Sequence, residues 1–199
     1  MKINLTEIYK GLDKWRVERK ITAESQRQGY LRNIMEELGE LAVGLRDYAS
    51  WSKCDLRFCQ IHKEMAERVI VDAICDISVL TINAGADLPS EIKPLIIEPK
   101  FTADFSVDDI FVAIADFIRT DANGSPFNYY DFDRILKNCA GVCEKYGFNF
   151  EIAMLETIKE ISSRTGTYDE KAKKWIKDSS DEARAKWYQA DYEKARIKQ

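Results

Sequence analysis

Two aspartates interrupt one of the most apolar stretches of the chain. Asp72 and Asp76 lie within residues 69–84, where most other side chains are apolar. Residues four apart share one face of a helix, so both carboxylates would face the same neighbour. Burying an unpaired carboxylate is costly, and like charges at this spacing repel. A positive group must therefore face them, and it is either a metal ion or a protein cation.

A second group of acids comes earlier in the chain. Glu37 and Glu40 fall beside the apolar stripe of a predicted helix over residues 22–47. If this helix packs antiparallel against one over residues 60–84, the acids converge into a cluster of oxygen ligands. The expected metal ligands are Glu37, Glu40, Asp72 and Asp76. Hard divalent cations prefer such ligands, so Mg²⁺ is the expected cofactor, with Mn²⁺ as the alternative.

A structural interpretation of the same acids also exists. A run such as Glu-Glu-x-x-Glu on a helix is usually a solvated face, and Arg32 or Arg46 could neutralise the aspartates without any metal. Two aspartates on an otherwise apolar face are harder to explain by solvation. The metal cluster is therefore the favoured interpretation.

Composition and charge limit the classes of protein to consider. With 199 residues, 45% hydrophobic and 32% charged, the chain is expected to form one globular domain. A formal charge of -4 argues against a nucleic-acid partner. The start lacks an apolar leader and no run of about 18 apolar residues occurs, so we expect neither a signal peptide nor a membrane span, and a cytoplasmic location. Five cysteines are expected to be free thiols.

Helical periodicity dominates the whole chain and predicts an all-α fold, a helical bundle. The predicted helices cover residues 5–15, 22–47, 60–84, 106–119, 129–146, 150–163 and 181–197. Thr6 and Ser106 are predicted caps, and residues 123–126 and 166–168 are predicted turns. We expect a single domain over residues 1–199. Its parts are a core hairpin over 22–84, a proline-containing connector over 85–104 without regular structure, and further helices with a basic C-terminal segment over 105–199.

The acidic motifs resemble those of a known family. Residues 36–42 read Glu-Glu-Leu-Gly-Glu-Leu-Ala, and Asp72-Ala-Ile-Cys-Asp76 follows about thirty residues later. This pairing is similar to the signature of the all-α nucleotide pyrophosphohydrolases, the MazG-like and dimeric dUTPase superfamily, over roughly residues 22–84. The family pattern is Glu-Glu-x-x-Glu followed by Glu-x-x-Asp. Here Ala73 stands where the family has its second-motif glutamate, and Asp72 is the substitute.

The resemblance implies Mg²⁺-dependent hydrolysis of a (deoxy)nucleoside triphosphate to monophosphate and pyrophosphate, by attack of water on the α-phosphorus. It implies that one carboxylate takes the proton of that water, and the candidates for this catalytic role are Glu36 and Glu37. The substrate is a nucleoside triphosphate, and the family implies a homodimer or a higher homo-oligomer. Residues 106–163 could instead complete the four-helix bundle within one chain.

The resemblance extends more weakly into the C-terminal quarter. The stretch from Lys159 to Tyr168 is similar to a segment that dUTPase-like members use near the phosphates. Residues 174–178 and 185–192 are similar to tails of phage-type MazG-like proteins, the subgroup with the closest match. The expected substrate contacts are Asn83, Lys159, Arg164, Tyr168, Lys171 and Lys174. Of these, Asn83 is expected at the base or sugar, where Tyr30 or Trp51 could stack.

The sequence also leaves open two other functions and one other kind of site. The first is a non-catalytic nucleotide sensor or partner-binding protein with a degenerate site, which Ala73 favours. The second is phosphoribosyl-ATP pyrophosphatase, which shares the motif and the reaction but is typically much shorter. The third is a zinc site made by Cys54, Cys59 and His62, which lacks a fourth ligand and has irregular spacing.

Overall fold

The computed structural model describes residues 2–89, 94, 96–98, 107–122, 129–172 and 174–198. Most of them are helical, which confirms the all-α prediction. The helices are α1 (Thr6–Glu18), α2 (Ala23–Trp51), α3 (Arg57–Ala84), α4 (Asp108–Ala122), α5 (Tyr129–Lys145), α6 (Phe150–Ser163), α7 (Asp181–Arg184) and a 3₁₀ helix (Tyr192–Ala195). The predicted cap Ser106 and the predicted turn over 123–126 lie outside the described residues.

The two longest helices, α2 and α3, form the predicted antiparallel hairpin. A capping box opens α2, because the Thr22 hydroxyl accepts from Ser25 N at 3.1 Å and Ser25 Oγ accepts from Thr22 N at 3.2 Å. The hairpin packs closely at Gly44, where an added Cβ would lie 2.9 Å from Ile70 Cγ1. The two helices therefore approach each other closely at this position.

The loop between α2 and α3 corrects the cysteine prediction. Cys54 in this loop forms a disulfide with Cys59 in the first turn of α3, whereas we expected free thiols. Cys75, Cys139 and Cys143 are free and buried, as expected. The pairing was missed because an odd number of cysteines in a chain of this length favours reduced thiols.

The later helices complete a bundle around α3 within one chain. Helices α5 and α6 pack against α3, α4 packs against α5, and α1 packs against α6. The largest side chains between them are fully buried, including Phe132, Phe148 and Phe150. None of the described helices is both long and apolar enough to cross a bilayer.

Two small antiparallel sheets differ from the predictions. The first pairs β1 (Ile3–Asn4) with β2 (Ile96–Ile97), which lies within the connector that we expected to lack regular structure. The second pairs β3 (Gly166–Asp169) with β4 (Lys174–Lys177), so the predicted turn over 166–168 is a strand. Thr6 is the first residue of α1 rather than its cap, since Leu5 holds the cap position. Strands this short leave little alternation in the sequence to detect.

The predicted helix over residues 181–197 is wrong. Only four residues at its start form α7, and Tyr192–Ala195 forms a 3₁₀ helix near its end. Between them, side chains of α6 accept from the backbone: Ser163 Oγ accepts from Tyr188 N at 2.8 Å, and Glu160 Oε2 accepts from Ala190 N at 2.8 Å. These bonds replace the helical ones that the sequence pattern predicts. The segment therefore runs along α6 instead of forming a helix of its own.

Candidate functional site: an acidic cluster beside α6

The structure brings the predicted acids of α2 and α3 together. We use the term acidic cluster for Glu37, Glu40, Asp72 and Asp76. The pKa of Asp76 is raised well above its ordinary value by burial and then by the charges of Asp72 and Glu37. Such mutual effects require that the carboxylates lie close to one another.

Glu37 occupies the edge of the hairpin interface and is half-buried. Burial and then the neighbouring charges of Glu40 and Asp72 raise its pKa to about 7, against a smaller opposing effect of Arg164. A carboxylate that titrates near neutral pH can both accept and release a proton. Glu36, the other candidate base, directly precedes Glu37 on α2 and is exposed.

Asp72 belongs to the cluster, whereas Ala73 does not. Ala73 is fully buried in the hydrophobic core, so its position gives no access to the cluster. Asp72 is half-buried and its Oδ1 accepts a hydrogen bond of 2.6 Å from the Tyr192 hydroxyl. Burial raises the pKa of Asp72, and the bond from Tyr192 opposes that rise. Asp72, rather than residue 73, thus provides the carboxylate at this point of α3.

Helix α6 adds a carboxylate that sequence reasoning missed. The charge of Glu160 raises the pKa of both Asp72 and Asp76, so this side chain faces the acidic cluster. Its Oε1 accepts from Arg164 Nη2 at 2.8 Å. The only sequence signal was the spacing of Glu160 and Arg164, which is that of an ordinary helical ion pair. Which other helix an ion pair faces is decided by packing.

Arg164 is the predicted substrate contact that lies beside the acidic cluster. Its charge lowers the pKa of Glu37, Asp72 and Asp76, and its own side chain is 29% exposed. Its Nε is buried and has no hydrogen-bond partner. The guanidinium therefore offsets part of the negative charge of the cluster without forming an ion pair with its four members.

The alternative in which Arg32 or Arg46 neutralises the aspartates finds no support. The Arg32 side chain lies 3.4 Å from Asn33 Oδ1, and that of Arg46 bonds Asp47 at 2.8 Å. In the part of the chain that the structure describes, no ion pair of 4.0 Å or less involves a member of the acidic cluster. The carboxylates thus face one another without a directly bonded cation.

A metal could use the acidic cluster only after side-chain movement. Over the described ranges, no three or more His, Cys, Asp or Glu side chains are arranged closely enough to hold a metal ion. The donor set itself fits Mg²⁺, because all its ligands are carboxylate oxygens. Some of these side chains would have to change conformation before their oxygens could coordinate one ion.

Asn83 does not occupy the predicted place at a substrate. It is 1% exposed, and its Oδ1 accepts from Arg16 Nη1 at 2.7 Å. Its Nδ2 has no hydrogen-bond partner. Burial under α1 closes this amide to a nucleobase, so the structure corrects that prediction. The seven-residue spacing from Asp76 predicted a shared helical face but did not reveal that Arg16 of α1 bonds this amide.

The remaining four predicted contacts have other partners or are exposed. Lys159 is exposed and pairs with Glu156 on α6. Lys20 Nζ lies 4.7 Å from the Tyr168 ring centroid, on the hairpin formed by β3 and β4. Lys171 and Lys174 are exposed at the tip of the same hairpin. Among the described residues, no hydrogen bond or ion pair joins the acidic cluster to the predicted contacts Lys159, Tyr168, Lys171 and Lys174.

The possible zinc site and the possible stacking residues have structural roles. Cys54 and Cys59 are joined to each other, and the His62 ring stacks on Trp51 at a centroid distance of 4.7 Å. Tyr30 is buried, and its hydroxyl lies 3.1 Å from Thr81 Oγ1. These contacts argue against a zinc ligand set and against base stacking at these positions.

A separate cleft of about 800 Å³ lies between α3 and the end of the chain. Its walls carry charges of both signs, and two of them are already paired, because Arg196 Nη1 donates to Glu67 Oε2 at 3.0 Å. No residue of the acidic cluster lines this cleft.

Comparison of the chain with family models, with curated proteins and with solved structures gave no match.

Proposed function

We propose that the protein hydrolyses nucleoside triphosphates to monophosphate and pyrophosphate in a Mg²⁺-dependent reaction. The observation that carries the proposal is the acidic cluster, in which carboxylates of two helices raise one another's pKa without an ion-paired cation. Such an arrangement is unfavourable for the apoprotein, and a divalent cation would relieve it. The motif resemblance to the all-α pyrophosphohydrolases supports the same reaction.

The roles of the side chains follow from their surroundings. A bound Mg²⁺ would supply charge neutralisation at the phosphates and would lower the pKa of a bound water. Glu40, Asp72 and Asp76 would hold the ion, and Glu37, with a pKa of about 7, is the candidate base. Burial raises the pKa of the nearby Cys75 thiol well above its usual value, so this cysteine stays protonated and is a poor nucleophile.

The phosphate groups would approach from the side of α6. Arg164 already reduces the negative potential of the acidic cluster, and its half-buried guanidinium carries a free N–H. Guanidinium groups bind phosphate oxygens well. Lys159 extends from the same helix into solvent and could contact the outer phosphates.

The test is pyrophosphate release from purified protein with Mg²⁺ and a panel of ribo- and deoxyribonucleoside triphosphates, together with phosphoribosyl-ATP. The double variant Glu40→Gln, Asp76→Asn should lose at least about 100-fold in rate, because two ligands lose their charge. The matched control is Glu64→Gln, Asp47→Asn, which makes the same changes on the same two helices outside the cluster. Equal rates in the first variant and the wild type would exclude the proposal.

The absence of a closely arranged metal group among the described residues favours a second candidate, a nucleotide sensor without turnover. Calorimetric titration with a triphosphate and Mg²⁺ separates the two. Binding with no pyrophosphate release supports the sensor, while release supports the hydrolase. In both cases the protein binds a nucleoside triphosphate.

A further inference from the structure

The end of the chain reaches the acidic cluster through one side chain. The Tyr192 hydroxyl donates a hydrogen bond of 2.6 Å to Asp72 Oδ1, over a separation of 120 residues. The same hydroxyl lies 2.9 Å from Thr157 Oγ1 on α6. Tyr192 therefore connects α6 with the aspartate of α3 that replaces the family glutamate.

The position of Tyr192 is fixed by its surroundings. The side chain is 7% exposed, and it belongs to the hydrophobic core. The C-terminal end of the 3₁₀ helix that carries it is anchored to the turn between α5 and α6: Asn149 N donates to Ala195 O at 2.7 Å, and Ile197 N donates to Gly147 O at 2.8 Å. The hydroxyl is thus held in place and cannot easily turn towards solvent.

A hydroxyl held in this way determines which oxygen of Asp72 remains available. Tyrosine has a single hydroxyl proton, and when it goes to an ionised Asp72, the contact with Thr157 is one in which Thr157 donates. Asp72 Oδ1 is then engaged, and Oδ2 has no hydrogen-bond partner among the residues described. Hydrogen bonds of this kind orient metal-ligating carboxylates, and losing them typically weakens metal binding about 10- to 100-fold.

We propose that Tyr192 is a positioning residue of the acidic cluster, which fixes the Asp72 carboxylate so that its second oxygen can bind the metal ion. This inference rests on the proposed function, because it assumes a metal at the acidic cluster. It also gives a role to the C-terminal segment, because the hydrogen-bond donor to Asp72 comes from this segment and not from α2 or α3.

The experiment measures Mn²⁺ affinity in the full-length protein without nucleotide, by titration calorimetry, for the wild type and for Tyr192→Phe. This variant keeps the packed ring and removes only the hydroxyl. We expect its Mn²⁺ dissociation constant to rise about 10- to 100-fold. In turnover assays, the Mg²⁺ concentration for half-maximal rate should rise similarly, while the rate at saturating Mg²⁺ stays within a few-fold.

The matched control is Tyr188→Phe in the same segment. The Tyr188 hydroxyl bonds Glu156 on α6 and has no contact with Asp72. A Tyr188→Phe protein should therefore bind Mn²⁺ like the wild type, even if its melting temperature falls. A merely structural role of Tyr192 would lower the stability of Tyr192→Phe and leave its Mn²⁺ affinity unchanged.

Each outcome decides something definite. Equal Mn²⁺ affinity of the wild type and Tyr192→Phe overturns the positioning role alone. Failure of the wild type to bind Mn²⁺ overturns the metal site itself, and the positioning role with it. If Tyr192→Phe does not fold, Thr157→Val and Thr157→Ser are measured instead. Weaker Mn²⁺ binding by Thr157→Val than by Thr157→Ser supports the inference, and equal Mn²⁺ affinities of the two variants overturn it.

Discussion

The raised pKa of Glu37 makes the stability of the protein depend on pH. Its pKa is raised to about 7 by burial and by three neighbouring acids, among them Glu40 and Asp72. In the unfolded chain the same side chain has its ordinary pKa of 4.5. Between these two values the folded state holds a proton that the unfolded state has released, so protonation favours folding.

We predict that the free energy of unfolding falls as the pH rises from about 4.5 to about 7 in metal-free buffer. Urea unfolding in EDTA at several pH values across this window measures the slope. Asp72 and Asp76 contribute in the same direction, because burial raises the pKa of each. Burial also raises the pKa of Glu156, but bonds from Lys159 and Tyr188 outweigh it and lower that pKa to about 2, so its contribution changes only below the window.

The variant Glu37→Gln should make this slope shallower, because the amide does not titrate. The control is Glu36→Gln on the adjacent, exposed position, which should change the slope much less, because the Glu36 charge has the smallest of the three acidic effects on the pKa of Glu37. A Glu37→Gln protein with the wild-type slope would contradict the assignment. Adding Mn²⁺ should reverse the trend, since metal binding requires deprotonated carboxylates.

Residue types and spacing predicted the acids of α2 and α3 because a carboxylate in an apolar helix is unusual whatever surrounds it. They did not predict Glu160, whose spacing with Arg164 is that of an ordinary surface pair. They also misplaced Asn83, because a shared helical face does not tell which neighbouring helix covers it. Arg16 of α1 donates a hydrogen bond to the Asn83 side-chain oxygen. Site residues supplied by other helices depend on packing, which one sequence does not encode locally.

At the scale of elements, the acidic cluster depends on how closely α2 and α3 approach. Gly44 allows this approach: an added Cβ would lie 2.9 Å from Ile70 Cγ1 and 3.2 Å from Ile70 N. The second contact is with backbone, which cannot move aside as a side-chain end can. Any larger residue at this position must separate the helices.

We predict that Gly44→Ala lowers the free energy of unfolding, with an overpacking cost of about 1–3 kcal/mol that exceeds the helix-propensity gain of about 1 kcal/mol. Urea unfolding followed by circular dichroism measures it. Gly39→Ala is the control, because an added Cβ there meets nothing within 4 Å, and it should be neutral or stabilising. Equal stabilities of the two variants would show that the helices tolerate separation at Gly44.

Elements with strong helical periodicity were predicted well, and those held by contacts with other elements were not. Helices α2 and α3 begin and end within about four residues of their predicted bounds. The predicted helix over 181–197 is wrong because Ser163 and Glu160 of α6 take its backbone N–H groups. The amphipathic pattern of that segment reflects one side packed on α6, which a helix and an extended segment can both satisfy.

At the scale of the whole molecule, helices of the same chain complete the bundle around α3, which a second chain could otherwise have completed. Helices α5 and α6 pack against α3 in the same chain, as one of the two alternatives from the sequence requires. A row of apolar side chains remains exposed along the first half of α3: Phe58, Ile61, Met65 and Val69. Their spacing places them on one helical face. At 40–60% exposure each, they form an apolar stripe that a second copy could bury.

We predict that the protein is a homodimer in which these stripes meet. Sedimentation equilibrium of the wild type should give twice the chain mass at micromolar concentration, and Ile61→Glu, Met65→Glu should give the monomer, because an interface does not tolerate unpaired buried charges. Val17→Glu is the control, since Val17 is 79% exposed on α1 and should not affect assembly. A wild type that sediments as a monomer, or a double variant that remains dimeric, would contradict this interface. Retained pyrophosphate release from nucleoside triphosphates by the monomeric variant would show further that the acidic cluster works within one chain.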